Sequence, residues 1–347
     1  MRTYKMNSGV TVTYPDELCF VFNPQIIQVE GGILAGGKSL NTTIYEIVEG
    51  EESYRYGDTR SNASDDNISI DISTYLQSLF DTYSTEAMRF KQVKVQIIHN
   101  LGGIFSFTIN CIWGAMNIGE IFNPSRTVTM FRKFPSTISL YSKGNIQVRY
   151  DGENYVSLSV DEGLINKDFS EYFANAKDFG MIKIINTPEA PSTFQYTFDR
   201  TFKPLPDDAV FIKVLFNDCD KGIYLRWLDR HGFLQYWLFQ EGDLTGQSSN
   251  EGEQLNVDYS DIKYAYNGMS RYQGKTYQTT RKACATLVER ETFNMLSSIH
   301  SSPIVDMYID KNWIPVNIVA GSFTDNGADL QDFEIQIRMP ETITQML

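Results

Sequence analysis

Three pairs of adjacent carboxylates are the first residues that could do chemistry: Glu51/Glu52 in VEGEES, Asp65/Asp66 in SNASDDNISID and Asp207/Asp208 in PLPDDA. A glycosidase needs two carboxylates set across a sugar bond, and a calcium site needs several oxygens converging from one loop. Adjacency along the chain supplies neither. The segment from Asp65 to Asp71 also lacks the glycine and terminal glutamate of an EF-hand loop, so these acids read as solvated turn residues. His99, His231 and His300 are the only histidines, and they share no H-x-x-x-H or H-E-x-x-H spacing, which argues against a zinc hydrolase. GGILAGGKS, at 31 to 39, resembles a phosphate loop only superficially. Its lysine is one residue late for a Walker A motif and no helix signal follows, so it reads as a hairpin tip or inter-subunit loop. No G-x-S-x-G elbow or G-x-G-x-x-G fingerprint occurs. The expectation is a chain without catalytic residues, metal or cofactor.

Cys19, Cys111, Cys219 and Cys284 stand singly beside apolar residues, with no C-x-x-C pair, and read as buried free thiols. Acidic residues number 43 against 30 basic ones, for a net charge of -13. That sign does not suit a protein that tracks phosphates or anionic lipid heads. The N-terminus lacks the apolar region of a signal peptide and no apolar run is long enough to span a membrane, so synthesis in a cytoplasm is expected.

The elements that must position any site are strands. Residues 9–14, 18–22, 92–99, 104–113, 137–141, 145–150 and 154–160 are short, rich in β-branched and aromatic residues, and often alternate. Asn100 to Gly103, Lys143-Gly144-Asn145 and Asp151-Gly152-Glu153 supply hairpin turns. Further strands are expected at 209–216, 304–309, 313–319 and 332–338. Helices are few. One starts at Ser73 as N-cap, with Leu76, Leu79, Phe80 and Tyr83 on one face. Another carries Phe293 and Leu296, with Ile299 or His300, and stops before Pro303; a weaker one lies near KDFSEYFANA.

At 347 residues the chain suits two domains. Residues 186–208 hold four prolines and read as a linker containing an extended strand from Phe194 to Phe198. The expected architecture is mainly β, with two antiparallel β-sandwich-like domains, 1–205 and 206–347, and a few short capping helices. The polar stretch EGDLTGQSSNEGEQLNVDYSD, 241 to 261, is expected to be an exposed loop.

The densest aromatic stretch is GIYLRWLDRHGFLQYWLFQEG, 222 to 242. Leu225 and Trp227 fall on one side of the first strand, and Tyr224, Arg226 and Leu228 on the other. Leu234 to Phe239 is almost wholly apolar, so the hairpin should be covered on both faces. The cover could be the other domain, a neighbouring subunit, or a sugar ring stacked on Trp227 or Trp237.

This hairpin resembles a group of tail proteins from bacteriophages and prophages of gut anaerobes, which show Y-L-x-W-L-x-x-x-G-x-x-x-Y-W-x-F. Tyr224, Leu225, Trp227, Gly232, Tyr236, Trp237 and Phe239 match that pattern. Ser301, Ser302, Pro303, Val305, Trp313, Pro315, Val316 and Ile318 match a second one, S-S-P-x-V followed by W-x-P-V-x-I. FVFNPQIIQV and IDISTYLQSLF extend the similarity into the N-terminal half.

The resemblance implies a non-enzymatic virion structural protein similar to distal tail proteins. Such a protein is a ring subunit, commonly six-fold, joining the tail tube to baseplate or receptor-binding components. Its partners would be copies of itself and those tail parts, genomic DNA would only pass through the channel, and no part would insert in a membrane. The expected interface residues are Tyr224, Arg226, Trp227, Tyr236, Trp237, Phe239 and Trp313, with the segments Gly31 to Ser39 and Glu241 to Ser260. A carbohydrate-binding β-sandwich contacting host glycans through Trp227 or Trp237 is the alternative, and a polysaccharide depolymerase ranks third.

Overall fold

A computed structural model describes residues 1–6, 9–31, 38–62, 67–82, 84, 87, 89–99, 103–120, 122–123, 125–151, 154–173, 179–185, 209–215, 221–255, 271–321, 323–339 and 342–346. The protein is mainly β, with several sheets and three short α-helices among these residues. It divides into two compact units: Met1–Phe216 with Leu228–Leu234, and Asn217–Trp227 with Gln235–Leu347. The boundary expected near 205, the strand from Phe194 to Phe198, and Cys219 lie outside the described residues.

Among the described residues the first unit holds three sheets. In the first, β1 (Arg2–Lys5), β2 (Thr11–Tyr14), β4 (Ile26–Glu30) and β7 (Asn67–Asp71) run antiparallel in that order. Ile68 and Ile70 of β7 are buried while Asn67, Ser69 and Asp71 face out, the period-2 pattern of a strand with one face on a core. The second runs β3 (Leu18–Phe20), β9 (Gly103–Ile112), β8 (Phe90–His99), β5 (Lys38–Val48) and β6 (Glu51–Asn62). The third runs β10 (Arg126–Phe131), β14 (Ala209–Leu215), β13 (Phe179–Ile185), β11 (Ile138–Asp151) and β12 (Asn154–Lys167).

Two pairs, β3/β9 and β10/β14, are parallel, so the antiparallel expectation holds for most neighbours but not all. The strands expected at 137–141 and 145–150 form one continuous β11, because a bulge at Lys143/Asn145 absorbs Gly144 at φ +96° without ending the pairing.

The helices are shorter than the sequence suggests. Ser73 is not the N-cap: it is the first residue of α1 (Ser73–Gln77), and its backbone N–H donates to Asp71 Oδ1 at 2.9 Å. Leu76 and Phe80 are buried as expected, but Phe80 lies beyond the helix and Tyr83 lies outside the described residues. The segment KDFSEYFANA contributes α2 (Ser170–Phe173), which buries Phe173.

The second unit is one sheet in the order β19 (Asn312–Pro315), β18 (Val305–Ile309), β15 (Ile223–Leu228), β16 (Leu234–Leu255), β17 (Arg271–Glu289), β21 (Leu330–Arg338), β20 (Asn317–Ile318). β22 (Thr342–Met346) also pairs with β17. Both ends of the sheet feed one core. Leu225 and Trp227 of β15 and Met307 of β18 join Phe333, Ile335 and Ile337 of β21. A sheet whose ends share a core curls over itself, which gives the unit its β-sandwich-like character. α3 (Arg290–Ser297) buries Phe293 and Leu296 in that core, followed by Ile299 in a 3-10 turn. Among the described residues no helix is long and apolar enough to cross a membrane.

Candidate interface: the aromatic hairpin and its ribbon

Alternation along β15 sends Ile223, Leu225 and Trp227 into the core of the second unit, together with Phe239 of β16. Trp227 is 0 % exposed, and its indole Nε1 donates to Ser298 Oγ at 2.8 Å, so the polar end of the ring is satisfied where it is buried.

The opposite face carries Tyr224, Arg226 and Tyr236, and its cover comes from the chain itself. Tyr224 lies 5.6 Å from Trp313 and 6.1 Å from Tyr236, centroid to centroid, and Tyr308 lies 5.1 Å from Trp313. Burial pushes the Tyr224 phenol well above its ordinary value. The buried Arg226 guanidinium donates from Nε to Asp306 Oδ2 at 2.9 Å and stacks over Trp313 at 4.4 Å. Burying an arginine charge is costly, and pairing it with a carboxylate offsets part of that cost.

The turn of the hairpin belongs to the first unit. Asp229 Oδ1 accepts the backbone N–H groups of His231 and Phe233, both at 2.9 Å, and Glu120 pairs with Arg230 and His231. Gly232 sits at φ +82°, where a Cβ would stand 2.9 Å from Ile112 Cγ2, so glycine is required there for both conformation and space. Phe233 packs with Phe20, Phe90, Ile112 and Leu164, and Arg126 lies 3.7 Å over its ring. Burial depresses the Arg126 pKa to about 10.

Beyond Gln240, β16 continues as a ribbon with β17, paired from Leu244↔Arg281 to Leu255↔Arg271. The expectation of an exposed loop over 241–261 is therefore corrected: residues 241–255 are exposed apart from half-buried Gly242 but belong to the strand β16, and 256–261 lie outside the described residues. Every residue from Asp243 to Leu255 is exposed; on β17 Arg271, Tyr272, Gln273, Lys275 and Tyr277 are exposed, Thr276 and residues 278–282 are half-buried, and β22 pairs along Gly274 to Tyr277. At its base Glu241 pairs with Arg281, and Glu334 with Lys282.

Of the seven residues expected at an interface, Tyr224, Arg226, Trp227, Tyr236 and Phe239 are buried within their own unit, while Trp237 and Trp313 keep part of their surface accessible. No sugar ring can stack on Trp227. Residues 32–37 of the Gly31 to Ser39 segment lie outside the described residues. Sequence reasoning missed Asp306 and Ser298, the polar partners that fix the hairpin's two inward polar groups. It also missed the ribbon, although the sign of its charges, all acidic from 241 to 255 and all basic from 271 to 288, is readable in the sequence.

The residues first considered for chemistry are dispersed. Glu51 and Glu52 open β6, and Glu52 pairs with Lys94 at 2.6 Å; Asp65/Asp66 and Asp207/Asp208 lie outside the described residues. His99 is buried on β8, His231 lies in the hairpin turn, and His300 stacks on Phe323 at 5.2 Å. Among the described residues no three His, Cys, Asp or Glu side chains converge as metal ligands would. Cys19 and Cys111, in register on β3 and β9, are free buried thiols with Sγ atoms 3.4 Å apart, and Cys284 is half-buried rather than buried. No family model matches this chain, and no curated protein matches it.

Proposed function

We propose that this chain is a non-enzymatic structural subunit of a phage tail, a ring component at the distal end that joins the tail tube to baseplate or receptor-binding proteins. It is made in the bacterial cytoplasm, ends in the virion, and contacts DNA only as the genome passes through the channel. The two sequence patterns of the tail proteins it resembles support this reading. Their positions in the hairpin are packing positions: Tyr224, Leu225, Trp227, Tyr236 and Phe239 are buried, and Gly232 allows the turn. The observation that carries the assembly part of the reading is the β16/β17 ribbon, whose β16 arm is exposed along its whole length from Asp243 to Leu255. A strand as exposed as this arm of β16, edged along β17 only by the short β22, is marginal on its own, and a subunit that assembles supplies further cover.

The test is immunogold labelling of tailed particles released by the host that carries the gene. Label at the distal tip of the tail is expected. Label on the capsid, or particles free of this chain, would overturn the reading.

A further inference from the structure

The ribbon has two unlike faces. Register places Leu244, Asn250 and Leu255 of β16 on the same face as Arg281, Lys275 and Arg271 of β17, with Tyr277 between them. On that face Leu244 is 54 %, Leu255 46 % and Tyr277 41 % exposed, so it is both basic and apolar. The other face carries Glu251, opposite Gly274, with Thr276 and Tyr272 on either side. No ion pair is formed by Arg271, Lys275 or Glu251 among the described residues, in contrast to the matched pairs Glu241–Arg281 and Glu334–Lys282 at the base.

We infer that the ribbon is a self-association surface in which the basic face of one copy lies on the acidic face of the next. The occupant is a second copy of this chain, and the inference rests on the ring reading above. Charge decides the arrangement. Stacking like faces would set Arg271 and Lys275 against themselves, whereas stacking unlike faces brings them to Glu251. Register favours the second: Glu251 lies opposite Gly274, between the levels of Lys275 and Arg271, so two ribbons stacked in the same orientation align these charges without sliding. Leu244, Tyr277 and Leu255 then bury apolar surface around the ion pairs. A contact between unlike faces is heterologous, the kind that closes into rings when the rotation between copies allows.

The test is a charge swap in the full chain. Arg271→Glu with Lys275→Glu makes both faces acidic, and Glu251→Lys makes both basic. Each variant is expected to lose self-association in light scattering while keeping the wild-type thermal midpoint, because every altered side chain is exposed. An equimolar mixture of the two is expected to associate again, as is a single chain carrying all three changes, and added salt should weaken wild-type association. Assemblies that persist in both variants would overturn the ribbon contact while leaving the ring reading intact. Folded variants that lose association without recovery in the mixture would overturn the pairing of unlike faces. A wild-type chain that never self-associates would overturn the inference, and the tail reading would then stand or fall on the labelling of particles.

Discussion

Trp227→Ala removes the largest fully buried side chain among the described residues, together with the indole donor to Ser298. A loss of about 3–5 kcal/mol is expected in denaturant unfolding, as for other large aromatics deleted from a core. Arg226 and Asp306 behave as a pair. Asp306→Leu leaves a buried guanidinium uncompensated and is expected to cost about 3–5 kcal/mol, whereas combining it with Arg226→Met should recover most of that loss. A double-mutant cycle followed by denaturant unfolding measures the difference, and equal losses in the single and double variants would contradict the pairing.

Glu46 makes the molecule acid-sensitive. Burial raises its carboxyl pKa, but hydrogen bonds and charges from Lys91 and Arg55 outweigh burial and hold it below its ordinary 4.5. A depressed folded value means that stability from this group is complete above the unfolded pKa and is lost as pH falls through the folded one. Glu46→Gln should therefore flatten the decline of the thermal midpoint below about pH 4.5 relative to wild type. At this scale the apolar half of the hairpin was legible, since alternation alone assigns Leu225 and Trp227 to one side. The polar half was not: nothing local identifies Asp306, 80 residues away, as the carboxylate that pairs with Arg226.

At the scale of elements, what the sequence conveys follows how each strand meets water. β7 and β8 have one buried face and alternate accordingly, so β8 was readable. The β5/β6 hairpin was missed because two of the buried positions on β5 are Thr42 and Glu46, which break the apolar period. The ribbon was misread as a loop for a related reason. With the β16 arm exposed throughout and β17 only partly buried along it, neither strand has an apolar period to display, and the pairing is visible only in three dimensions. Replacing Thr245, Gln247 and Ser248 by alanine is therefore expected to leave the thermal midpoint near that of wild type, since these side chains are exposed. A large drop in the midpoint would mean that the ribbon supports the fold. Short helices were overextended because a stripe such as Leu76 and Phe80 reaches the core as well through one helical turn and a bend.

At the scale of the molecule, the mainly β class follows from strand propensity and turn residues throughout the chain, whereas the division into units does not follow chain order. The hairpin turn at Leu228–Leu234 belongs to the first unit, while the flanking strands belong to the second. No local pattern signals such a return; it depends on Gly232 fitting beside Ile112 and on Phe233 joining Phe20 and Phe90. The most direct test of the central claim is the mass of the purified full-length chain by light scattering across concentration, with negative-stain images of the largest species. A concentration-dependent rise to a closed ring with an open centre is expected. A mass fixed at one 39.7 kDa chain at every concentration, with no ring seen alone or with tail-tube protein added, would contradict it.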